Sequence, residues 1–290
     1  MDIDEIVSQI EEMRKRGYGE YLNVKGLKIR YLVMGSGPQV LLLHGFGGFL
    51  ETWAFNIPPL SKHYRVYAID LPGHGLSDKP DNSYSPAFAV ASANDILEAL
   101  GIEQATLIGH SLGGAVSINI ALSLPERVSR LVLIDSAGLS RTLPRLYRLS
   151  SLPVLGNILM SLSVEPALER SVRRLFHDSP VLSREMIDII LKNASQPGVK
   201  ETLLRILRQN VGLRGPRPGA LLIDRLPQLK MPALFVHGAQ DRVFPIEHVR
   251  DAFSMAPNSR VKIFDQCGHC PHIEKAPEFN DTVMEFLKDN

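Results

Sequence analysis

Short apolar runs rich in branched residues and leucine recur along the chain, and helical patterns fill the gaps between them. The runs cover residues 28–33, 39–43, 64–69, 105–108, 130–134, 233–236 and 260–264. Strands that read as near-continuous apolar runs are covered on both faces, which requires a mostly parallel sheet flanked by helices. Residues 86–100, 112–124, 246–255 and 277–288 have the length and apolar spacing of those helices. This alternation predicts an α/β fold. Ligands of such sheets sit outside the carboxyl ends of the strands, so chemistry is expected there.

The rhythm breaks once. Residues 139–222 contain helical apolar patterns and prolines but no convincing strand. A chain of 290 residues suggests about two modules. The pattern instead predicts one core, 1–138 plus 223–290, interrupted by an all-helical insert at 139–222. The insert holds 13 Lys and Arg against 6 Asp and Glu, while the remainder holds 19 against 25. The net charge of +1 hides this division, and opposite charge is expected to draw insert and core together.

A near-neutral chain has no basic footprint for nucleic acid. With 44% apolar and 22% charged residues it reads as an ordinary globular protein. At the N-terminus, Ile3, Ile6, Val7, Ile10 and Met13 follow helical spacing behind acidic residues. Residues 1–17 therefore predict an extra docked helix and not a secretory leader. The longest uncharged stretch, 149–164, includes Pro153 and Gly156 and is shorter than the ~20 residues of a spanning helix. The expectation is a soluble, cytoplasmic protein without stable membrane insertion; a homodimer is compatible with it.

The run at 105–108 leads into Gly109-His110-Ser111-Leu112-Gly113-Gly114, and a helical pattern follows. Strand, sharp Gly-x-Ser-x-Gly turn and helix together form a nucleophile turn. A serine at such a tip crowds the residues two before and two after it. Glycine at 109 and 113 removes the side chains that would clash. The helix that starts beside Ser111 points free amides toward the reacting oxygen.

On these residues the chain resembles enzymes of the α/β-hydrolase fold, over nearly its whole length outside the N-terminal helix. The resemblance implies a mostly parallel central sheet flanked by helices, and a helical cap inserted at 139–222. It also implies an oxyanion hole. The run 39–43 ends in His44-Gly45-Phe46-Gly47-Gly48, where glycines let main-chain N–H groups approach a ligand oxygen. The family places one donor at Phe46 and the other at Leu112.

A serine hydroxyl needs a base, and histidine suits neutral pH. Nine histidines compete. The family order of nucleophile, acid, base selects His269, on the loop after the last strand. His272 reads as structural or pocket-lining, His44 as a brace for the oxyanion turn, and His63 and His248 as surface residues. His74 and His237 are weaker candidates. The acid is placed at Asp241, in the loop after the run 233–236. Asp135 is its rival, because some family members carry the acid after the preceding strand. Asp70 reads as fixing its own loop.

Cys267 and Cys270 flank His269 with C-x-x-C spacing. No second cysteine pair completes a structural zinc site, and the position does not suit a thioredoxin-like motif. Both read as small neutral neighbours of the base, with no metal or cofactor required. The pocket is expected to be lined by Phe46, Leu112, Trp53 and His110, with Leu149, Leu152, Val154, Leu155, Ile158, Leu159 and Met160 contributed by the cap. Cap arginines at 141, 145, 148, 173 and 174 are expected mainly at a solvated face, with capture of an anionic substrate as the minority reading.

These features predict a serine carboxylesterase acting on a small-molecule ester through an acyl-enzyme on Ser111. The alternative is carbon–carbon hydrolysis of a dienoate ring-cleavage product. Many such enzymes have an aromatic residue directly after the base, where this chain has Cys270. A third reading, a non-catalytic ligand-binding protein, is disfavoured by the complete set of Ser111, Asp241 and His269.

Overall fold

The computed structural model describes residues 19–161, 165–177, 182 and 184–288. The expected N-terminal helix lies outside them. Eight strands form one sheet: β1 (Glu20–Val24), β2 (Leu27–Met34), β3 (Gln39–Leu43), β4 (Arg65–Ile69), β5 (Ala105–His110), β6 (Val128–Ile134), β9 (Ala233–Gly238) and β10 (Ser259–Phe264). Their spatial order is β1-β2-β4-β3-β5-β6-β9-β10. β2 is antiparallel to both β1 and β4, and every pairing from β4 onward is parallel.

The central strands are buried because helices cover both faces. All six residues of β5 and of β9 are buried. One face packs against α2 (Pro86–Ala99), α3 (Leu112–Ser123) and α9 (Glu247–Met255), with Leu41, Leu107, Leu131 and Phe235 at its centre. The other packs against α1 (Ile57–Ser61) and α10 (Ala276–Lys288), around Trp53, Leu42, Ile108 and Phe279. Helix α3 has no polar face: eight of its residues are buried, including Ser117 and Asn119. It sits so close to β3 that a Cβ on Gly113 would lie 2.0 Å from the Leu43 carbonyl oxygen.

Two features depart from the sequence expectations. Strand β1 was not among the apolar runs, because its outer residues are exposed at the sheet edge. Its pairing with β2 depends on the two-residue turn Lys25-Gly26, both at positive φ (49° and 90°). The segment 139–222 also contains a two-residue ladder, β7 (Val211–Gly212) with β8 (Gly215–Pro216). Its remaining regular elements are helical: α4 (Arg145–Ser150), α5 (Pro153–Ser161), α6 (Glu165–Arg173), α7 (Arg184–Ala194), α8 (Val199–Asn210) and a short 3-10 turn at Pro218–Ala220.

Apolar contact holds this helical layer to the sheet domain. Val172, Phe176, Met186 and Ile187 pack on Phe55, Cys270 and Ile273, while Val199, Leu203 and Ile206 pack on Tyr84. Each such side chain contributes roughly 1.5–3 kcal/mol when fully buried. The ion pairs that cross the junction, Arg141–Asp224 at 2.6 Å and Arg205–Asp81, are largely exposed, and exposed pairs are worth about 0–1 kcal/mol each. The charge asymmetry therefore assists an attachment that burial secures. Among the described residues no helix is long and apolar enough to cross a membrane.

Candidate active site

Ser111 sits between β5 and α3 with φ 51° and ψ −111°. This is a strained backbone for a residue with a Cβ. Hydrogen bonds pin it. The Ser111 amide donates to the Ile134 carbonyl at 2.9 Å, and the Ser111 carbonyl accepts from Ala137 and Gly114 at 2.9 and 3.0 Å. The flanking glycines are sterically required: a Cβ on Gly109 would lie 2.4 Å from the Gly113 carbonyl oxygen. Leu112 opens α3, so its N–H has no intrahelical partner.

The turn after β3 lies against Ser111. A Cβ on Gly45 would approach Ser111 Cβ to 3.2 Å and His110 Nδ1 to 2.8 Å. His44 secures the turn: its Nδ1 donates to the Gly45 carbonyl at 2.8 Å and its Nε2 accepts the Leu71 amide at 3.0 Å. Burial lowers the His44 pKa to about 4, so the ring is neutral and Nε2 remains free to accept. Phe46 is thereby held above the cavity that Ser111 and Leu112 also line.

His269 Nδ1 lies 2.7 Å from Asp241 Oδ2. The His269 amide donates to the Leu175 carbonyl in the helical layer at 2.6 Å, and its own carbonyl accepts from His110 Nε2 at 2.7 Å. Phe244 meets the His269 ring edge-on at 5.4 Å. Ser111 and His269 share no direct hydrogen bond in this resting geometry; such contacts commonly tighten only when substrate is bound.

Asp135 stands behind Asp241. It is fully buried, and its Oδ1 accepts the Gly238 amide at 3.1 Å. His237 gives its Nε2 hydrogen to the Phe244 carbonyl at 2.8 Å, which leaves Nδ1 as an acceptor 3.2 Å from Asp135. An ionised Asp135 would set lone pair against lone pair there. Burial, and then the Asp241 charge beside it, push Asp135 well above the usual carboxylate range. For Asp241, burial raises the pKa, but His269, Asp135 and the Val243 amide together hold it below that range. The arrangement is a neutral Asp135 supporting an ionised Asp241. Asp135→Asn is therefore expected to keep activity within about tenfold, whereas Asp241→Asn loses on the order of 10⁴ in kcat. Steady-state kinetics of the two variants decide it, and equal losses would contradict this order. The same atoms also resemble a metal-ligand set, since Asp135, His237 and Asp241 lie within 4.8 Å of one another. The set does not suit an ion, because Asp241 Oδ2 is committed to His269 and Asp135 Oδ1 already accepts the Gly238 amide.

Ser111 opens into a cavity of about 140 Å³. Its walls include Phe46, Leu112, Tyr147, Leu207, Asn210 and Phe244, and among the described residues no Lys, Arg, Asp or Glu. Tyr147, on α4, faces Phe46 edge-on at 6.2 Å. It was not foreseen from sequence; its one signal was an aromatic residue between Arg145 and Arg148 in the insert.

Several expected lining residues lie elsewhere. Trp53 is wholly buried among the residues below the sheet, against the His272 ring at 4.6 Å. His110 is turned into the interior by its bond to the His269 carbonyl. Leu155 and Leu159, on α5, are absent from the cavity lining, whereas Met160 of the same helix packs against the cluster that includes Tyr84 and Ile206. The helix presents Gly156 to Ser150 and Leu204 and leaves Val154 and Ile158 exposed. Leu149 is exposed as well. Arg141, Arg148 and Arg173 bond to Asp224, the Leu213 carbonyl and Glu169 and do not reach the cavity. His248, expected at the surface, is half-buried against Ser140 Oγ at 2.9 Å. His272 is fully buried and outside the cavity lining. Burial raises the pKa of both Cys267 and Cys270, so each is a thiol with little thiolate character.

Residues 40–282 match the model of a family described as the alpha/beta hydrolase family. An uncharacterized protein of Mycobacterium tuberculosis is 33% identical over 92% of this chain and 80% of its own length. A 2-hydroxymuconate semialdehyde hydrolase of Pseudomonas putida is 31% identical over 93% of this chain and 94% of its own. Among solved structures, a meta-cleavage product hydrolase from Pseudomonas fluorescens superposes with a TM-score of 0.80 at 27% identity, covering 93% of this chain and 97% of that one.

Proposed function

The chain belongs to the alpha/beta hydrolase family, and from that premise we propose that it hydrolyses the bond beside a carbonyl carbon, with Ser111 as nucleophile. His269 takes the Ser111 proton and returns it to the leaving group. Asp241 orients His269 and stabilises its charged form. The Phe46 and Leu112 amides stabilise the oxyanion, each donor worth ~10²–10³ in rate. Water, activated by His269, then releases the acyl group. The observation that carries this reading is the bonded Asp241–His269 pair beside a strained Ser111 that opens on an uncharged cavity.

For the bond cleaved, kinship favours carbon–carbon over ester. The relatives of printed activity include the semialdehyde hydrolase and a 2-hydroxy-6-oxo-6-(2'-aminophenyl)hexa-2,4-dienoic acid hydrolase, 28% identical over 96% of this chain. Cleavage of a dienoate ring-cleavage product is accordingly placed first. Carboxylic ester cleavage is the second reading, favoured by two observations: among the described residues no charged side chain lines the cavity to receive a carboxylate, and Cys270 follows the base where many dienoate hydrolases have an aromatic residue. One experiment orders them. Values of kcat/KM are measured on a meta-cleavage dienoate and on p-nitrophenyl esters of graded chain length. Carbon–carbon cleavage requires the dienoate to exceed the best ester at least tenfold, and the reverse ratio replaces it with ester cleavage. Turnover of neither, together with no fluorophosphonate labelling at Ser111, removes both.

A further inference from the structure

Nine large apolar side chains stand exposed among the described residues, and five of them, Leu146, Leu149, Val154, Ile158 and Leu213, belong to the helical layer. The elements that carry these five pack together. Leu146 and Leu149 are three residues apart on α4, and Val154 and Ile158 are four apart on α5, so each pair lies on one face of its helix. Gly156 seats α5 against the Ser150 carbonyl at the end of α4. Arg148, on α4, donates to the Leu213 carbonyl at 3.3 Å and so joins that helix to the turn between β7 and β8. Val154 is the most open of the five, at 74% exposed. Apolar side chains left in water as a cluster mark a contact surface.

Charge in the same segments is of one sign. Residues 139–161 and 202–222 hold seven arginines and no Asp or Glu. Arg141 and Arg205 meet carboxylates of the sheet domain, Asp224 and Asp81. Arg148, Arg208 and Arg217 bond instead to main-chain carbonyls, those of Leu213, Pro153 and Arg208. Their charge is thereby held in place and not cancelled. Arg145 and Arg214 are exposed and make no ion pair among the described residues. They directly adjoin Leu146 and Leu213 in the chain. A partner for this surface must offer apolar area and negative charge together. A second copy does not, because a two-fold contact sets these arginines against their own equivalents with no acid to meet them. An anionic bilayer does: aliphatic side chains enter its interface while guanidiniums meet phosphate.

We propose that this face, formed by α4, α5 and the turn between β7 and β8, docks reversibly on an anionic phospholipid surface. Leu146, Leu149, Val154, Ile158 and Leu213 enter the interface, and Arg145, Arg148 and Arg214 contact headgroup phosphates. Tyr147, on the same helix as Leu146 and Leu149, lines the cavity at Ser111, so docking holds one wall of the cavity near the membrane. Docking fixes where the protein sits and is independent of the bond cleaved at Ser111, and its test needs no turnover.

Co-sedimentation of the full chain is measured with vesicles of phosphatidylcholine alone and with vesicles carrying about 30% phosphatidylglycerol, at about 100 and about 500 mM NaCl. The wild type is expected to partition at least tenfold more onto the anionic vesicles at low salt, and high salt should lower that partition at least fivefold. The double variant Val154→Ser, Ile158→Ser and the double variant Arg145→Glu, Arg214→Glu should each lose at least fivefold. Phe253→Ser, at an exposed apolar residue on α9, should stay within twofold of wild type. Equal partition onto the two vesicle types, partition onto neither, or a loss confined to one of the double variants overturns the proposal. So does a dimer in light scattering that Val154→Ser, Ile158→Ser dissociates, because a second copy then occupies the face. Should a double variant fail to fold, hydrogen exchange on the wild type decides: anionic vesicles must slow the amides of α4, α5 and the turn between β7 and β8 and leave those of α9 unchanged. A failure of hydrolysis at Ser111 leaves every one of these readouts intact, so the two proposals fail separately.

Discussion

Ser111→Ala is expected to lower kcat by about 10⁶, to the level left by binding and oxyanion stabilisation alone. The substitution removes a single oxygen from a residue that is 7% exposed and whose main chain makes the fixing bonds. Alanine keeps the Cβ at the same positive φ, so the backbone strain is unchanged and the melting temperature should move little. The loss is then chemical and not structural. It should be as severe for a dienoate as for an ester, because both need an attacking oxygen at the same place. Gly113→Ala gives a contrasting failure. Its new Cβ would meet the Leu43 carbonyl at 2.0 Å, so α3 must shift and both activity and stability should fall. Residual activity of Ser111→Ala within tenfold of wild type, in preparations free of wild-type enzyme, would show that another group supplies the nucleophile.

That turn was legible in the sequence because its steric demands are local: glycine at 109 and 113 answers a clash made within the same few residues. Strands β3, β5 and β9 were legible for a related reason, since burial on both faces leaves each run dominated by apolar residues. Strand β1 was not, because an edge strand keeps polar residues on its outer side and pairs through the turn at Lys25-Gly26. The pocket walls were the least legible part. Which side of a cap helix faces the cavity depends on how helices pack, and Gly156 seats α5 so that Leu155 and Leu159 miss it. Trp53 was misread because a large aromatic near the oxyanion turn suits the core as well as a pocket. The acid pair illustrates a third limit. Asp135 and Asp241 end neighbouring strands, and sequence alone does not say which one the His269 ring meets. The parallel register of β6 with β9 brings both to the same edge, and the loop after β9 carries Asp241 the remaining distance to Nδ1.

Arg30→Met is expected to cost about 3–5 kcal/mol of stability at pH 7.5, the range for removing one partner from a buried ion pair. Arg30, on β2, holds Glu51 through two contacts at 2.9 and 3.2 Å and lies 3.5 Å from Asp70. All three side chains are at most 4% exposed. Without the guanidinium, two buried carboxylates lose the cation that lies within 3.5 Å of both. Asp70 cannot withdraw, because it also accepts the Leu50 amide at 2.7 Å and the Leu76 amide at 2.8 Å. Burial, countered by Arg30, sets its pKa at about 6 in the native protein, above the ordinary 3.8. The folded state therefore binds more protons than the unfolded chain between those values, and Asp70's contribution to stability declines as pH rises through that window. Loss of Arg30 removes the nearest cation that favours the charged form and pushes Asp70 higher still. The deficit of Arg30→Met should then be largest above pH 6 and should shrink toward pH 5, as the carboxyls take up protons. Urea unfolding at pH 5.0 and 7.5 measures both values. A deficit below 1 kcal/mol at pH 7.5, or one that grows on acidification, would refute the account. The same network fixes Leu50, just past the oxyanion turn, and Leu76, in the loop that carries His74.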